Sequence, residues 1–238
     1  MPRVSGTAET ESTSDAPEHK AAVQDLSPVK ELQQLWEEYH LDPLRKPWLE
    51  GRDEDSLKIE LDYIKESIEE SRASALDEPA EYDFSHIVLW DVQGFSGGWR
   101  VFVGSNGNTV VQVINSEAPA DTELPDGKHF WNHEFTLSLS AQEIGSIRQA
   151  LKKAQFFSMV LAEGYMTPDE ARPSITVRLK NGKSRNVSTV VSNQHPGFTA
   201  VYEALLDLVE RTKTQLQPTP TPYGPDEPVP DGFEILRK

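Results

Sequence analysis

The 238-residue chain contains no cysteine, which excludes a disulfide, a thiol nucleophile and a thiolate metal site. It also has no apolar run near the roughly 18 residues that a membrane-spanning helix needs. The first twenty residues hold no apolar stretch that could act as a signal peptide. We therefore expect a soluble cytoplasmic protein that makes no contact with a membrane.

Basic residues are also scarce, and the acidic excess is unevenly distributed. The formal net charge is −16, and residues 1–84 hold 22 Asp and Glu against 9 Lys and Arg. Residues 85–215 are almost neutral, with 13 acidic against 12 basic residues. Because strong acidity repels a phosphate backbone, binding to nucleic acid is not expected. The pattern instead indicates a neutral domain that carries an acidic N-terminal arm.

Composition and periodicity divide the chain into four segments. Residues 1–25 lack apolar periodicity and are predicted to be a disordered acidic tail. Residues 26–84 are predicted to be a helical acidic arm, and residues 85–215 an α+β core domain. Residues 216–238 are rich in proline and are predicted to be an extended, polyproline-like tail.

Two helices are predicted in the arm. The first begins at Ser27-Pro28, an N-cap followed by proline at the first helical position, and ends before Asp42-Pro43. The second runs from about Asp53 to Ala75, where four apolar residues recur at helical spacing: Leu57, Leu61, Ile64 and Ile68. Because this stripe has to pack somewhere, we expect much of the acid to form the solvent face of ordered helices.

The core domain shows strand and hairpin signals. Asn106-Gly107 and Asn181-Gly182 each lie between β-type runs and predict two hairpins. Ser140 and Glu143 form a capping box that begins a helix, and a last helix follows from about Thr199. The prediction is an α+β fold with an antiparallel sheet of five to six strands, built from the two hairpins with helices on one face and preceded by the two N-terminal helices.

Three stretches of this domain resemble a small bacterial domain family of unknown function. They are the run from GGWRVFV through SNGNTVV, the LSAQEIGSI helix with its KKAQFF end, and the VRLKNGK hairpin. The resemblance covers Leu89 to Thr212, about half of the chain. Members of that family often have a Cys-Pro pair where this chain has Gly97-Gly98. The family has no established activity, so the resemblance implies no functional residue.

The segment from Gly94 to Gly98 has the G-x-S-x-G spelling of a nucleophile elbow. Asp169 and His195 follow in the Ser–Asp–His order of such hydrolases, so a hydrolase that uses Ser96 is the alternative function. An elbow turns from a strand into a helix, whereas the residues after Ser96 have the pattern of a strand. We therefore interpret the segment as a glycine-rich turn that leads into the hairpin.

His129 and His133 are the candidate metal ligands. They are four residues apart, with Glu134 adjacent, and this spacing places both side chains on one face of a strand or helix. In a strand the two would lie about 13 Å apart, which is too far to share one ion. No cofactor is therefore expected.

Four cations surround Asn181-Gly182 and form a candidate anion-docking surface: Arg178, Lys180, Lys183 and Arg185. With a two-residue loop all four share one face, where an anion would have to offset their repulsion. With a three-residue loop Ile175 pairs with Val187 and the cations divide between two faces, a register that the apolar pairing favours. The simpler interpretation is a solvated edge hairpin protected from aggregation.

Trp36 and Trp48 lie on and beside the first arm helix and are further candidate binding residues, because tryptophan is enriched at protein interfaces. The sequence shows no coherent set of catalytic residues. It therefore predicts a module that acts through protein–protein interaction without catalysis, with either a protein partner or its own acidic arm docked on the domain.

Overall fold

The computed structural model describes residues 27–41, 51–94, 96–117, 122–163, 171–190 and 195–224, together with Pro230 and Phe233. The predicted disordered tail, residues 1–25, lies outside this range. Within it, no helix is both long enough and apolar enough to cross a membrane.

The core is one antiparallel sheet of seven strands. In chain order these are β1 (Phe84–Gln93), β2 (Gly97–Gly104), β3 (Asn108–Asn115), β4 (Phe130–Ser138), β5 (Ser174–Leu179), β6 (Ser184–Ser188) and β7 (Thr221–Tyr223). Their spatial order is β6-β5-β1-β2-β3-β4-β7, so consecutive strands are mostly neighbours. Strand β2 lies at the centre of the sheet.

The Asn106-Gly107 hairpin joins β2 to β3, as its sequence predicts. Val101 pairs with Val111, and Phe102 pairs with Val110 on the opposite face. Gly107 supplies the positive φ of +87° that the turn requires. Because apolar residues alternate onto both faces of β2, this strand has to be covered on both sides.

Two helices cover one face of the sheet: α3 (Ala141–Lys153) and α4 (Pro196–Thr212). The predicted capping box begins α3, since Ser140 Oγ accepts from Glu143 N while Glu143 Oε2 accepts from Ser140 N. Apolar residues of both helices and of six strands, β1 to β6, form the main core, which includes Leu151, Leu205 and Val101.

The arm contributes two further helices, α1 (Pro28–Glu38) and α2 (Glu54–Ser74). The predicted stripe of α2 packs against Leu32 and Trp36 of α1 and against Ala162 of the core domain. Serine side chains of α2 complete the contact. Ser71 Oγ accepts from Leu161 N, and Ser67 Oγ accepts from Glu163 N, each at 2.9 Å.

The α+β class and the antiparallel sheet are confirmed, whereas the strand count of five to six was wrong. The seventh strand, β7, comes from the Pro-rich tail, where proline content predicted an unpaired extended chain. Pro222 is compatible with this strand because β7 lies at the sheet edge, where a missing N–H breaks no ladder. Among the described residues, the four predicted helices are present, and their ends differ by a few residues from the predicted ones.

The turn from β1 into β2 generates the first prediction. Gly98 has a φ of +145°, and a Cβ at this position would overlap the carbonyl oxygen of Asp91. We expect Gly98→Ala to lower the free energy of unfolding by about 2 kcal/mol or more, since backbone strain alone costs roughly 1–3 kcal/mol. Urea denaturation followed by circular dichroism measures the change.

Gly145 provides the matched control. It is exposed within α3, and nothing lies within 4 Å of an added Cβ. Gly145→Ala should therefore raise the free energy of unfolding, by about 0.5–1 kcal/mol, because alanine is the better helix former. Equal stability of the Gly98→Ala variant and the unaltered protein would contradict the close approach of β1 and β2.

Candidate functional site

We call the sheet face opposite α3 and α4 the open face. Alternation along the strands and the cross-strand register define it, and neither of its two apolar clusters includes a residue of a described helix. The side chains that β1 to β4 contribute to this face include Val88, Trp90, Arg100, Phe102, Val110, Gln112, Ile114 and Glu134.

A polar row crosses the middle of the open face. The register places Trp90, Arg100, Gln112 and Glu134 opposite one another on β1 to β4. Cζ of Arg100 lies 4.2 Å from the ring centroid of Trp90 and 4.8 Å from that of Phe102. Gln112 Nε2 donates to Glu134 Oε2 at 2.9 Å. The two rings hold the guanidinium in place by cation–π attraction.

An apolar cluster lies on one side of the polar row, and a residue of the C-terminal tail completes it. Phe233 is 4% exposed and packs against Val88 and Phe102. Its ring centroid lies 5.3 Å from that of His86 and 5.4 Å from that of Phe102. A cavity of about 580 Å³ adjoins this contact, lined among others by His86, Asn108, Glu134, Thr136, Pro230 and Phe233.

A second apolar cluster lies on the other side of the polar row, and the tail completes it as well. Tyr223 of β7 packs against Ile114 and Phe130. A smaller cavity of about 210 Å³ opens here, between Trp90, which is 38% exposed, and Tyr223. The tail therefore contacts the open face with two aromatic side chains, ten residues apart, on either side of the polar row.

The basic hairpin adopts the three-residue register, since Ile175 pairs with Val187 and Arg178 pairs with Ser184. Arg185 consequently lies on the helix-covered face, where it is 4% exposed and donates to the carbonyl oxygens of Ser74 and Met159. Burial lowers the pKa of the Arg185 guanidinium. The four cations therefore do not share one face.

The other hairpin cations divide between two places. Lys183 Nζ donates to the carbonyl oxygen of Asp77, and Lys180 Nζ lies 2.9 Å from Asp83 Oδ1. Both groups contact the connection between α2 and β1, whereas Arg185 contacts Ser74, the last residue of α2. Arg178 instead lies opposite His86 in the β1–β5 register, on the open face.

Two of the hydrolase candidates, Ser96 and His195, lie in different elements of the fold. Ser96 lies in the turn from β1 to β2, so a strand follows it and no helix does, and its Oγ donates to Gln93 Oε1 at 3.3 Å. His195 caps α4, where its Nδ1 accepts from Phe198 N. A nitrogen that accepts cannot also donate to the orienting carboxylate of a triad. Asp169 lies outside the described residues.

The candidate metal ligands also differ in position. His133 lies in β4 opposite Val113, on the helix-covered face, and His129 precedes that strand and lines the smaller cavity. Across the described segments, no group of three or more His, Asp or Glu residues is placed to hold a metal ion. Of the two candidate tryptophans, Trp36 is 5% exposed in the α1–α2 contact, and Trp48 lies outside the described residues.

Comparison with protein-family models, with curated proteins and with solved structures found no match to this chain. The resemblance over Leu89 to Thr212 therefore stays a prediction. The candidate site rests on the geometry of the open face itself.

Sequence reasoning missed the polar row, and it marked the tail from Phe233 as a segment able to dock without identifying the surface that receives it. The signal for Arg100 was its position inside the run WRVFV, where a charge lies between residues that have to be buried on two faces. The signal for Phe233 was a large apolar residue within a polar, Pro-rich tail. Neither signal says which surface receives the side chain, because that depends on register and on the path of the tail.

Sequence reasoning also missed a buried carboxyl under α4. Asp91 is 5% exposed on the helix-covered face, and Tyr202 Oη donates to its Oδ2 at 2.6 Å. Burial raises the pKa of Asp91 above 3.8, although the bond from Tyr202 acts in the opposite direction. Because the pKa of Asp91 is higher in the folded state than in the unfolded state, protonation of this carboxyl stabilises the fold. The stabilisation is complete below pH 3.8, the ordinary pKa of aspartic acid, and is lost as pH rises through the pKa of the folded state.

We therefore expect Asp91→Asn to gain stability relative to the unaltered protein as pH rises from about 4 to 7. Urea denaturation at several pH values measures the difference. Asp207, which is exposed on α4, provides the control substitution Asp207→Asn. A trend of equal size in both variants would contradict the assignment to Asp91.

Proposed function

We propose that this protein is an interaction module that binds an extended segment of a partner protein on the open face of its sheet. The observation that carries the proposal is Phe233, a tail residue whose side chain is buried on a sheet face that no described helix covers. The tail thus acts as an occupant of the face in the same molecule.

The shape and chemistry of the face support segment binding. Its two apolar clusters are separated by a polar row, so an extended chain can place an anchor in each cluster while its polar groups meet the row. The tail also extends the sheet, since Tyr223 pairs with Phe130 and Thr221 pairs with Asn132. Strand addition followed by side-chain pockets is a known mode of peptide recognition.

Contact within the molecule occurs at a second place. The arm packs on the core domain through the stripe of α2. Arg185 contacts the last residue of that helix, and Lys180 and Lys183 contact the connection that follows it. This contact fits the hypothesis of intramolecular docking of the acidic arm. It leaves the open face on a different side of the sheet, and we therefore assign partner binding to the open face.

The competing class, a hydrolase that uses Ser96, His195 and Asp169, has no observation that favours it. Ser96 is exposed and directed to Gln93, and His195 caps its own helix. The module is the better supported function.

The test uses the full-length Phe233→Ala variant and a synthetic peptide of residues 224–238 with a fluorescent label. We expect saturable binding of the peptide to the variant, measured by fluorescence anisotropy. The unaltered protein should bind it at least about tenfold more weakly, because its own tail competes at a high effective concentration.

The control peptide carries alanine in place of its own phenylalanine and should show no saturable binding. Circular dichroism and the thermal midpoint establish that Phe233→Ala is folded. If the labelled peptide does not bind the folded variant at concentrations up to about 1 mM, near the effective concentration of a tethered segment, the proposed function is wrong.

A further inference from the structure

We propose that the open face selects a partner segment in which carboxylates flank an aromatic anchor. This inference rests on the proposed segment-binding function and adds the chemical class of the ligand. It is carried by the charges around the cluster that receives Phe233, and by the side chains next to that residue in the sequence.

The cluster that receives the aromatic anchor lies among basic side chains. Arg100 is two residues from Phe102 along β2, and both side chains lie on the open face. His86 contacts the ring of Phe233, and Arg178 lies opposite His86 on β5. On the described strands of this face, Glu134 is the acidic residue. In a protein with a net charge of −16, this is a locally basic surface.

Arg100 is suited to the recognition of a carboxylate. It is 1% exposed, and its guanidinium lies over the rings of Trp90 and Phe102. Its Cζ lies 4.2 Å from the ring centroid of Trp90 and 4.8 Å from that of Phe102, so the two rings restrain the guanidinium. A guanidinium held in this way is pre-organised to donate two parallel hydrogen bonds to one carboxylate.

The tail that supplies the anchor has the same chemistry as the proposed ligand. Asp231 and Glu234 lie within two residues of Phe233 in the sequence, and Asp226 and Glu227 precede them. The tail is therefore a natural template for a partner segment: an acidic stretch with a phenylalanine. Charge complementarity acts over a short range here, because the Debye length is about 8 Å at physiological salt.

The test compares two labelled peptides of residues 224–238 on the full-length Phe233→Ala protein. One has the natural sequence, and in the other Asp226, Glu227, Asp231 and Glu234 are replaced by the corresponding amides. We expect the amide peptide to bind at least about tenfold more weakly, the loss that accompanies one charge-assisted hydrogen bond. Dissociation constants within twofold of each other would overturn the inference and leave the proposed function standing.

Variants of the protein locate the selectivity. In the Phe233→Ala background, Arg100→Gln should reduce the ratio of the two peptides' dissociation constants to about twofold or less. Arg100→Lys should restore part of that ratio. Because Arg100 is buried, Arg178→Gln serves as a second, half-buried test and should also reduce the difference. Arg211→Gln, on α4 in the helix layer, is the matched control and should leave the difference unchanged.

Two further outcomes are decisive. If neither peptide binds, the inference and the proposed function both fail. If the unaltered protein forms a dimer between 10 and 200 μM in sedimentation equilibrium, and the natural peptide dissociates it, the occupant is the tail of a second copy. That result would overturn the assignment to a partner protein.

Discussion

The fold depends on one constraint, which is that the central strand β2 must be covered on both faces. Val101 and Val103 point into the core under α3 and α4, and both are fully buried. Arg100 and Phe102 point to the other face and are as deeply buried, although no described helix lies there. Residues of the C-terminal tail pack on that face, so the layer opposite the helices is formed in part by an extended segment.

The two kinds of cover differ in strength. The helix layer joins two helices and six strands in one apolar core, and an ion pair between Arg211 and Glu143 links α3 to α4. The described part of the tail contributes a three-residue edge strand and the buried side chain of Phe233. Local stability follows the number of buried apolar contacts. We therefore expect the tail to leave its face of the sheet at a lower free-energy cost than the helices. This difference is one reason why we propose the open face as the binding surface.

Local chemistry predicted a large part of this molecule. The capping box of Ser140 and Glu143, the hairpin at Asn106-Gly107 and the stripe of α2 all act over a few residues, and all are present. The hairpin register around Asn181-Gly182 was open between two loop lengths, because turn residues alone allow both. Burial of Ile175 opposite Val187 selects the longer loop and sends Arg185 into the arm contact.

By itself, the sequence determined the class of the fold, the described helices, the two hairpins and the difference in charge between residues 1–84 and residues 85–215. These follow from periodicity, capping and composition, which are local properties. Only the tertiary structure decided that β7 adds to the sheet, that Phe233 lies on the open face and that Arg100 joins a row with Trp90. Such contacts join residues that are distant in the chain, and their partners are chosen by strand order and register.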